Sequence, residues 1–591
     1  MRKILQMVVL GGLAFSAQAA PTKAGPDWRS YAPAVFEQAA REDKFVFIYL
    51  EAVWCHWCHV MQQDTLIDDA VLRKLDKHYL SVRVDHDANP LLANRYRDWG
   101  WPALIFLAAD GTEIVKRAGY IAPQPFARLL DAIVADPSPE AADVAARYSQ
   151  LEPVSALEDA ARAALWAKHE QHMDRERGGL SLAQKFVDAN SLELNLRLGA
   201  AGKAEYRQQA QRTLDAARAL IDPVWGGAYQ YSTGGRWDRP HYEKIMRSQA
   251  KVLRAYALAY AQWQRPADRD SAEQIVAYLL NFLRDPASGA FYVSQDADLV
   301  QGQKAHDYFQ LDDAARRARG MPRIDRNRYA SSNGQAVEAL ALWAAVSGDA
   351  VAAQAAGTAA RWVEQHLTAA DGGYRHGSDN QQAQYLADNL AMAQAHLALY
   401  QLGADRGQLQ AAVATADFIG QHFAKPGQGF VTAMDDGGPI KPVPVLAENF
   451  EATRFFNLLA HFSGQARHSQ WARDGLGFLL SEPVRSTAFE EAGVLLVDRE
   501  LASDPLHLVV VGAKADPEAR QLYQQALKNM DGYTRIEWWD RSQGPLPNND
   551  VAFPEFERAA GYVCTAQRCS APSFEAARYA QQIARLTGAA P

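Results

Sequence analysis

Four cysteines in 591 residues are too few to build a disulfide scaffold, so the fold must rest on a packed core. Basic excess is also missing. Lys and Arg number 61 against 69 Asp and Glu, a net charge of −8, and no basic run interrupts that balance. A nucleic-acid surface is excluded on those grounds. After about Phe15 no apolar run reaches the roughly 20 residues that cross a bilayer. The chain also lacks a G-x-G-x-x-G fingerprint. The one glycine turn that follows a strand, "LHLVVVGA" at 506–513, reads as plain structure. What remains is 48% hydrophobic and 22% charged, ample for a core and long enough for two or three domains.

The first 20 residues read as a leader. Arg2 and Lys3 precede an apolar run from Ile4, which closes on small residues with Ala17-Gln18-Ala19 as an A-x-A cleavage signal. The expectation is a secreted, periplasmic protein with no membrane insertion after cleavage. That compartment permits disulfides, and all four cysteines fall into close pairs, Cys55/Cys58 and Cys564/Cys569. The second pair is expected to be a structural disulfide.

"EAVWCHWCHVMQQ" at 51–63 admits three chemistries: a C-x-x-C dithiol, a C-x-x-C-H haem attachment signal, or a nest of metal ligands. Its flanks decide among them. A β-branched and aromatic run, "KFVFIYLEA", precedes it. Helical segments, a strand "LSVRVDHD", Trp101-Pro102 before an apolar strand, an Asp110-Gly111 hairpin and a last helix follow. This order resembles the thioredoxin fold over about 28–137, with Pro102 at the family's cis-proline. The haem reading explains none of these neighbours. At a helix N-terminus Cys55 is expected to be the exposed nucleophile and Cys58 the buried resolving thiol. His56 between them would favour the thiolate. Where thioredoxins carry a buried acid, this chain has Tyr49, and Glu51 is the nearest substitute.

From about 154 to 482 the pattern is amphipathic helix after helix. A glycine-aromatic motif recurs in "ERGGLSLA", "VWGGAYQYS", "ASGAFYVSQDAD", "ADGGYRHG" and "PGQGFVTA". Five visible copies and an eroded sixth predict a ring of six helical hairpins, an (α/α)6 toroid. An open solenoid is the alternative. Near the expected mouth gather Trp237, His241, Tyr242, Glu243, Asp296, Asp298, Ser332, Asn333, Tyr385, Asp388, Asn389, Glu448 and Asn449. Aromatic faces with carboxylates suit a sugar. The plain alternative is that such residues are helix caps and core.

The strings "AVWCHWCHVM", "GWPALIFLAADG", "RWDRPHYEKIMRSQA", "YVSQDAD", "SSNGQAVEAL" and "GYVCTAQRC" occur in one order that resembles the spermatogenesis-associated protein 20 group. The resemblance implies a thioredoxin-like domain fused to a six-hairpin-glycosidase-like toroid. The chain departs from the group's pattern at Gln62 to Leu66 and at Gln301 to Gln310.

The expected layout is therefore multidomain, α/β plus all-α. It runs as a leader at 1–20, a thioredoxin-like domain at 28–137, a toroid at 150–482, and a small α/β region at 483–591. Three function classes follow. The first is an exported thiol-disulfide oxidoreductase, with Cys55, Cys58, His56 and Pro102 as its catalytic set and a protein thiol or disulfide as partner. The second is a carbohydrate-active enzyme in the toroid, with His241, Glu243, Asp296, Asp298 or Asp388 as acid/base candidates and the thioredoxin-like domain as an accessory. The expected substrate-binding residues are Trp54, Trp101, Trp237, His241, Glu243, Asp296, Asp298, Asp388 and Glu448. The third is a non-catalytic binding protein. No cofactor and no metal are expected.

Overall fold

The computed structural model describes residues 25–96, 100–140, 151, 154–378, 384–566 and 568–587. The expected leader at 1–20 lies outside them. Among the described residues no helix is long and apolar enough to cross a membrane.

The N-terminal domain runs α1 (Pro33–Glu42), β1 (Phe45–Glu51), α2 (His56–Gln63), α3 (Asp69–His78), β2 (Tyr79–Asp85), α4 (Pro90–Tyr96), β3 (Ala103–Leu107), β4 (Glu113–Ala118) and α5 (Pro123–Ala135). Its sheet order is β2-β1-β3-β4, with β1 parallel to β2 and antiparallel to β3. Helices cover both faces, so β1 is buried almost throughout and reads as a continuous apolar run. Phe47, Phe106 and Phe126 pack on one face, and Val46, Ile48 and Ile105 on the other. Trp101-Pro102 is a cis peptide bond. This is the thioredoxin-like fold.

Twelve further helices form the body among the described residues. They are α6 (Asp159–His172), α7 (Ala189–Ala200), α8 (Ala204–Ala217), α9 (Met246–Trp263), α10 (Pro266–Tyr278), α11 (Ala330–Ser347), α12 (Ala350–Leu367), α13 (Leu386–Gly403), α14 (Arg406–His422), α15 (Leu446–Ser463), α16 (Ala466–Leu479) and α17 (Glu491–Leu501). Helices α7, α9, α11, α13, α15 and α17 touch in sequence, and α17 touches α7 again, so the inner ring closes. Each has an outer partner, and the sixth hairpin joins α17 to α6 across the whole ring. The ring does not end at 482: its closing inner helix is α17. The inner helices also depart from simple amphipathicity. Helices α11 and α13 are buried on nearly every face, because they have neighbours on both sides and an outer helix behind.

The glycine-aromatic motif is the ring's fastener. After α10 and α12, and in the strand pair after α14, the chain turns back, and an aromatic residue presents its backbone to the next inner helix. Asn333, Asn389 and Asn449 each accept the N–H of that aromatic residue, Phe291, Tyr374 or Phe430. Each also donates to the carbonyl four residues earlier in its own chain, at Tyr329, Tyr385 or Val445. Gln249 pins Ala228 in the same way. These asparagines are therefore structural and not part of a ligand cleft.

Three two-residue strands lie at one mouth: β5 (Lys244–Ile245), β6 (Ser294–Gln295) and β7 (Ile324–Asp325), in that order. The C-terminal region adds β8 (Leu506–Val511), α18 (Pro517–Leu527), β9 (Thr534–Trp539), β10 (Ala560–Cys564) and α19 (Ala576–Thr587). Its sheet order is β9-β8-β10. Leu508, Val510 and Leu522 share one apolar core with the ring's α9 and α11. Gly512 ends β8 where a Cβ would meet the Ala559 methyl at 2.9 Å, so its glycine serves close packing. Cys564 and Cys569 are disulfide-bonded.

Candidate functional site

Cys55 is the N-cap of α2, and its Sγ accepts the Cys58 N–H at 3.2 Å. The two cysteines are disulfide-bonded, with Cα atoms 5.3 Å apart. A nest of four metal ligands within the motif does not form. One expectation needs correction. Cys55 is not exposed: it is 4% accessible, against 0% for Cys58. The chain's own ring helps to cover it, since Ile245 of β5 joins Cys55, Cys58, Trp54 and Ala52 in one buried apolar cluster with Trp101 at its edge.

His56 also differs from its expected part. Its Nδ1 donates across the seam to Asp298, at 2.8 and 3.0 Å to the two carboxylate oxygens. His59, one helical turn on, follows the same path. Its Nδ1 lies 3.2 Å from Asp298 Oδ2, and its Nε2 lies 3.1 Å from the Val53 carbonyl. A carbonyl only accepts, so Nε2 carries a proton. Burial lowers the affinity of His59 for its second proton, but Asp298 and Asp296 more than restore it. Burial likewise raises the Asp298 carboxyl, and hydrogen bonds from His56 and His59 overcome that and hold it low.

Asp296, two residues before Asp298, has no such relief. One oxygen accepts the Asp298 N–H at 3.0 Å, and Oδ2 has no hydrogen-bond partner among the described residues. Burial pushes its carboxyl up to about 7 despite His59. Glu243 Oε2 is also buried without a partner there.

Tyr49, in the place of the thioredoxin acid, is buried and donates from its hydroxyl to the Cys58 carbonyl at 2.8 Å. Glu51 is paired with Arg83 and Gln62 and does not reach toward the dithiol as a free base. The two departures from the family pattern meet: Gln63 donates to the Gln301 carbonyl at 3.0 Å, and the Gly302 N–H caps Asp298 at 2.8 Å.

A second contact zone holds Asp388 and Glu448. Asp388 accepts from His376 Nδ1 at 3.0 Å, and His376 Nε2 donates to the Asp87 carbonyl of the thioredoxin-like domain at 2.7 Å. Asn94 donates to Glu448 at 2.7 Å. Trp54 donates to Asp87 at 2.7 Å, and Trp101 stands edge-on to His86 with centroids 4.4 Å apart. Between these groups is a cavity of about 110 Å³ that borders Arg247, Lys251 and Glu451 and adjoins a second of about 150 Å³ on the ring axis. Ligand sites usually measure about 300–1,000 Å³, so the closed mouth is small for a sugar.

Two expected binding residues lie elsewhere. Trp237 is buried in the wall, donates to the Arg177 carbonyl at 2.9 Å, and packs where a Cβ on Gly179 (φ 70°) would meet its ring at 2.8 Å. His241 stacks on Tyr231 at 4.4 Å, with Glu243 3.9 Å away. Sequence reasoning weighed His59 only as a haem or metal ligand of the C-x-x-C-H motif, and it missed His86, Asp87 and His376. The i, i+3 spacing of His56 and His59 was the available signal, since it puts both on one helix face.

Residues 18–135 match the Thioredox_DsbH family model, described as a protein of unknown function, DUF255. The chain is also similar to spermatogenesis-associated protein 20 of Homo sapiens, 26% identical over 315 residues, 46% of this chain and 39% of that one. Uncharacterized protein B0495.5 of Caenorhabditis elegans is 24% identical over 304 residues, 46% of this chain and 41% of that one. The aligned part thus spans about two fifths of these relatives. Among solved structures, D-mannose isomerase aligns with 58% of this chain and 96% of its own, at 12% identity and a TM-score of 0.45. Cellobiose 2-epimerase from Bacillus thermoamylovorans B4167 aligns with 58% and 100%, at 12% and 0.43.

Proposed function

We propose that the chain is an exported thiol-disulfide oxidoreductase whose dithiol works at the mouth of its own ring. One observation carries the reading. Cys55 caps α2 with the Cys58 N–H on its sulfur, in a domain whose strand order and cis-Pro102 are thioredoxin-like. A partner thiolate attacks Cys55 Sγ, the Cys55–Cys58 bond breaks, and Cys58 leaves as a thiolate that takes up a proton. The partner's second thiolate then displaces Cys55. The partner gains a disulfide, and Cys55 and Cys58 end as a dithiol; the reverse course reduces a partner. Because Ile245 covers Cys55, either course requires the seam to open. The basic-then-apolar start of the sequence supports export.

The test is a redox titration of the full mature chain in glutathione buffers, read by alkylation and mass. A reversible two-electron couple at Cys55/Cys58 supports the proposal. A pair that is never reduced without denaturant overturns it. A second reading has its own observation: His376, held by Asp388, lines the mouth cavity with Glu448 and Arg247. An opened mouth would then take a polyhydroxylated ligand. A saccharide panel on the Cys55→Ser chain separates the two, since this reading survives that substitution.

A further inference from the structure

His59, Asp296 and Asp298 come from two domains, yet they offer ligand atoms that all lie within 4.8 Å of one another. All three are buried. The backbone fixes the imidazole's direction. With Nε2–H given to Val53, Nδ1 faces Asp298 Oδ2 at 3.2 Å. In the neutral ring a lone pair would face an anion, so something positive must lie between them: a second proton or a cation. A histidine that gives its other N–H to a backbone carbonyl is the usual posture of a metal ligand. The 3.2 Å edge also fits tetrahedral zinc, whose bonds of about 2.0–2.1 Å set ligand atoms about 3.3 Å apart.

A proton accounts for only part of the cluster. Asp296 Oδ2 is buried, has no hydrogen-bond partner among the described residues, and sits 3.8 Å from His59 Nε2. Glu243 Oε2 is buried nearby in the same condition, close enough to Asp296 to repel its charge. A single imidazolium leaves both oxygens unsatisfied. A divalent cation would satisfy the first directly and offset the second.

We propose that His59, Asp296 and Asp298 form a zinc site that spans the seam between the thioredoxin-like domain and the ring. His59 Nδ1 and one oxygen from each aspartate are the ligands. Three protein ligands would leave a fourth position for an exchangeable water, the usual make-up of an open zinc site. His56 and the Gly302 N–H, both on Asp298, are its supporting hydrogen bonds. The ion would tie the two domains without touching either cysteine, so the site does not depend on the redox reading.

The test uses the full mature chain with both disulfides oxidised, so that no thiolate competes for metal. After chelation, Zn2+ alone is titrated by calorimetry, with bound metal counted after dialysis. The expected result is one Zn2+ per chain, and a loss of about tenfold or more in affinity for Asp296→Asn and for His59→Gln. Thermal unfolding should rise with Zn2+ in the parent chain and not in Asp296→Asn, which also shows that the variant folds. Absence of stoichiometric binding overturns the proposal. So does binding that both substitutions leave unchanged, since the metal is then held elsewhere.

Discussion

Two buried charge clusters lie a few residues apart on either side of β5, and they are built differently. In the ring wall, Lys244, Asp222 and Arg316 are all inaccessible. Lys244 donates to Asp222 and to the Gly226 carbonyl, each at 2.8 Å. Arg316 donates to Asp222 at 2.7 Å and to the carbonyls of Phe309 and Leu311. Burial brings Lys244 down to about 8 even with Asp222 beside it. At the seam, Asp296 and Glu243 are also buried, but each keeps an oxygen without a hydrogen-bond partner among the described residues. Burial of charge alone therefore does not mark a site. The wall cluster fills its hydrogen-bond positions and holds two helical hairpins together. The seam cluster leaves positions open, where the chain must move, exchange a proton or take a ligand.

The largest expected effect breaks the filled cluster. Asp222→Ala leaves two buried cations without their anion, and it should destabilise the ring by about 3–5 kcal/mol. Denaturant unfolding followed by far-UV circular dichroism measures this. A change below about 1 kcal/mol would mean that water enters the wall, and the contrast with the seam would fail.

Next is the seam itself. Asp298→Asn removes the anion that His56 and His59 share, a loss of about 2–3 kcal/mol for bonds of this charged kind. The ring should hold, while the seam opens more often. After mild reduction, Cys55 should alkylate roughly 30-fold faster or more, at about 1.4 kcal/mol per tenfold. An unchanged rate would show that Ile245 and the apolar contacts alone close the mouth.

How far the sequence reaches follows the same division. The thioredoxin-like domain was legible because its marks are local: a C-x-x-C after an apolar strand, a proline before another, a hairpin turn. The ring count was legible because the glycine-aromatic turn repeats. That repetition also held a warning. "SSN", "ADN" and "AEN" put an asparagine at the same place in three inner helices, and a residue needed in every copy serves the repeat, as Asn333, Asn389 and Asn449 do. A residue present once, such as His376 or Asp296, is the better site candidate. Closure of the ring by α6 and α17 was not legible, since it joins segments over 300 residues apart. Nor was the docking that buries Cys55, because a sequence shows which face of a domain is reactive but not what covers it.

A pH series sharpens the comparison. Burial, with Asp87 and Asp325 near, pushes Asp85 at the seam up to about 8. Asp325 is raised as well, by burial first and then by Asp87. A carboxyl with a folded pKa above its unfolded value of about 4 favours the folded state while protonated, and that contribution is lost as pH rises. Stability should therefore fall by up to about 4 kcal/mol between pH 5 and 8.5. Asp85→Asn should remove part of the fall, and Asp296, raised to about 7, carries another part. In the filled wall, burial raises Asp222 but Lys244 and Arg316 hold it low, so its contribution is lost only in strong acid. A flat profile between pH 5 and 8.5 would place the seam acids in water.

The smallest effect concerns the one neutral group against the dithiol. The Tyr49 hydroxyl is buried, its acidity is suppressed by burial and by Glu51, and it donates to the Cys58 carbonyl. Tyr49→Phe should cost about 1 kcal/mol, the usual worth of one such bond. It should leave the pH dependence of the Cys55/Cys58 couple unchanged, because a phenol that does not ionise cannot relay a proton at neutral pH. If that dependence shifts, Tyr49 takes part in proton transfer and belongs with the open seam. If only stability moves, Tyr49 is a filled position like Asp222. Proton movement at Cys58 then depends on water let in when the seam opens.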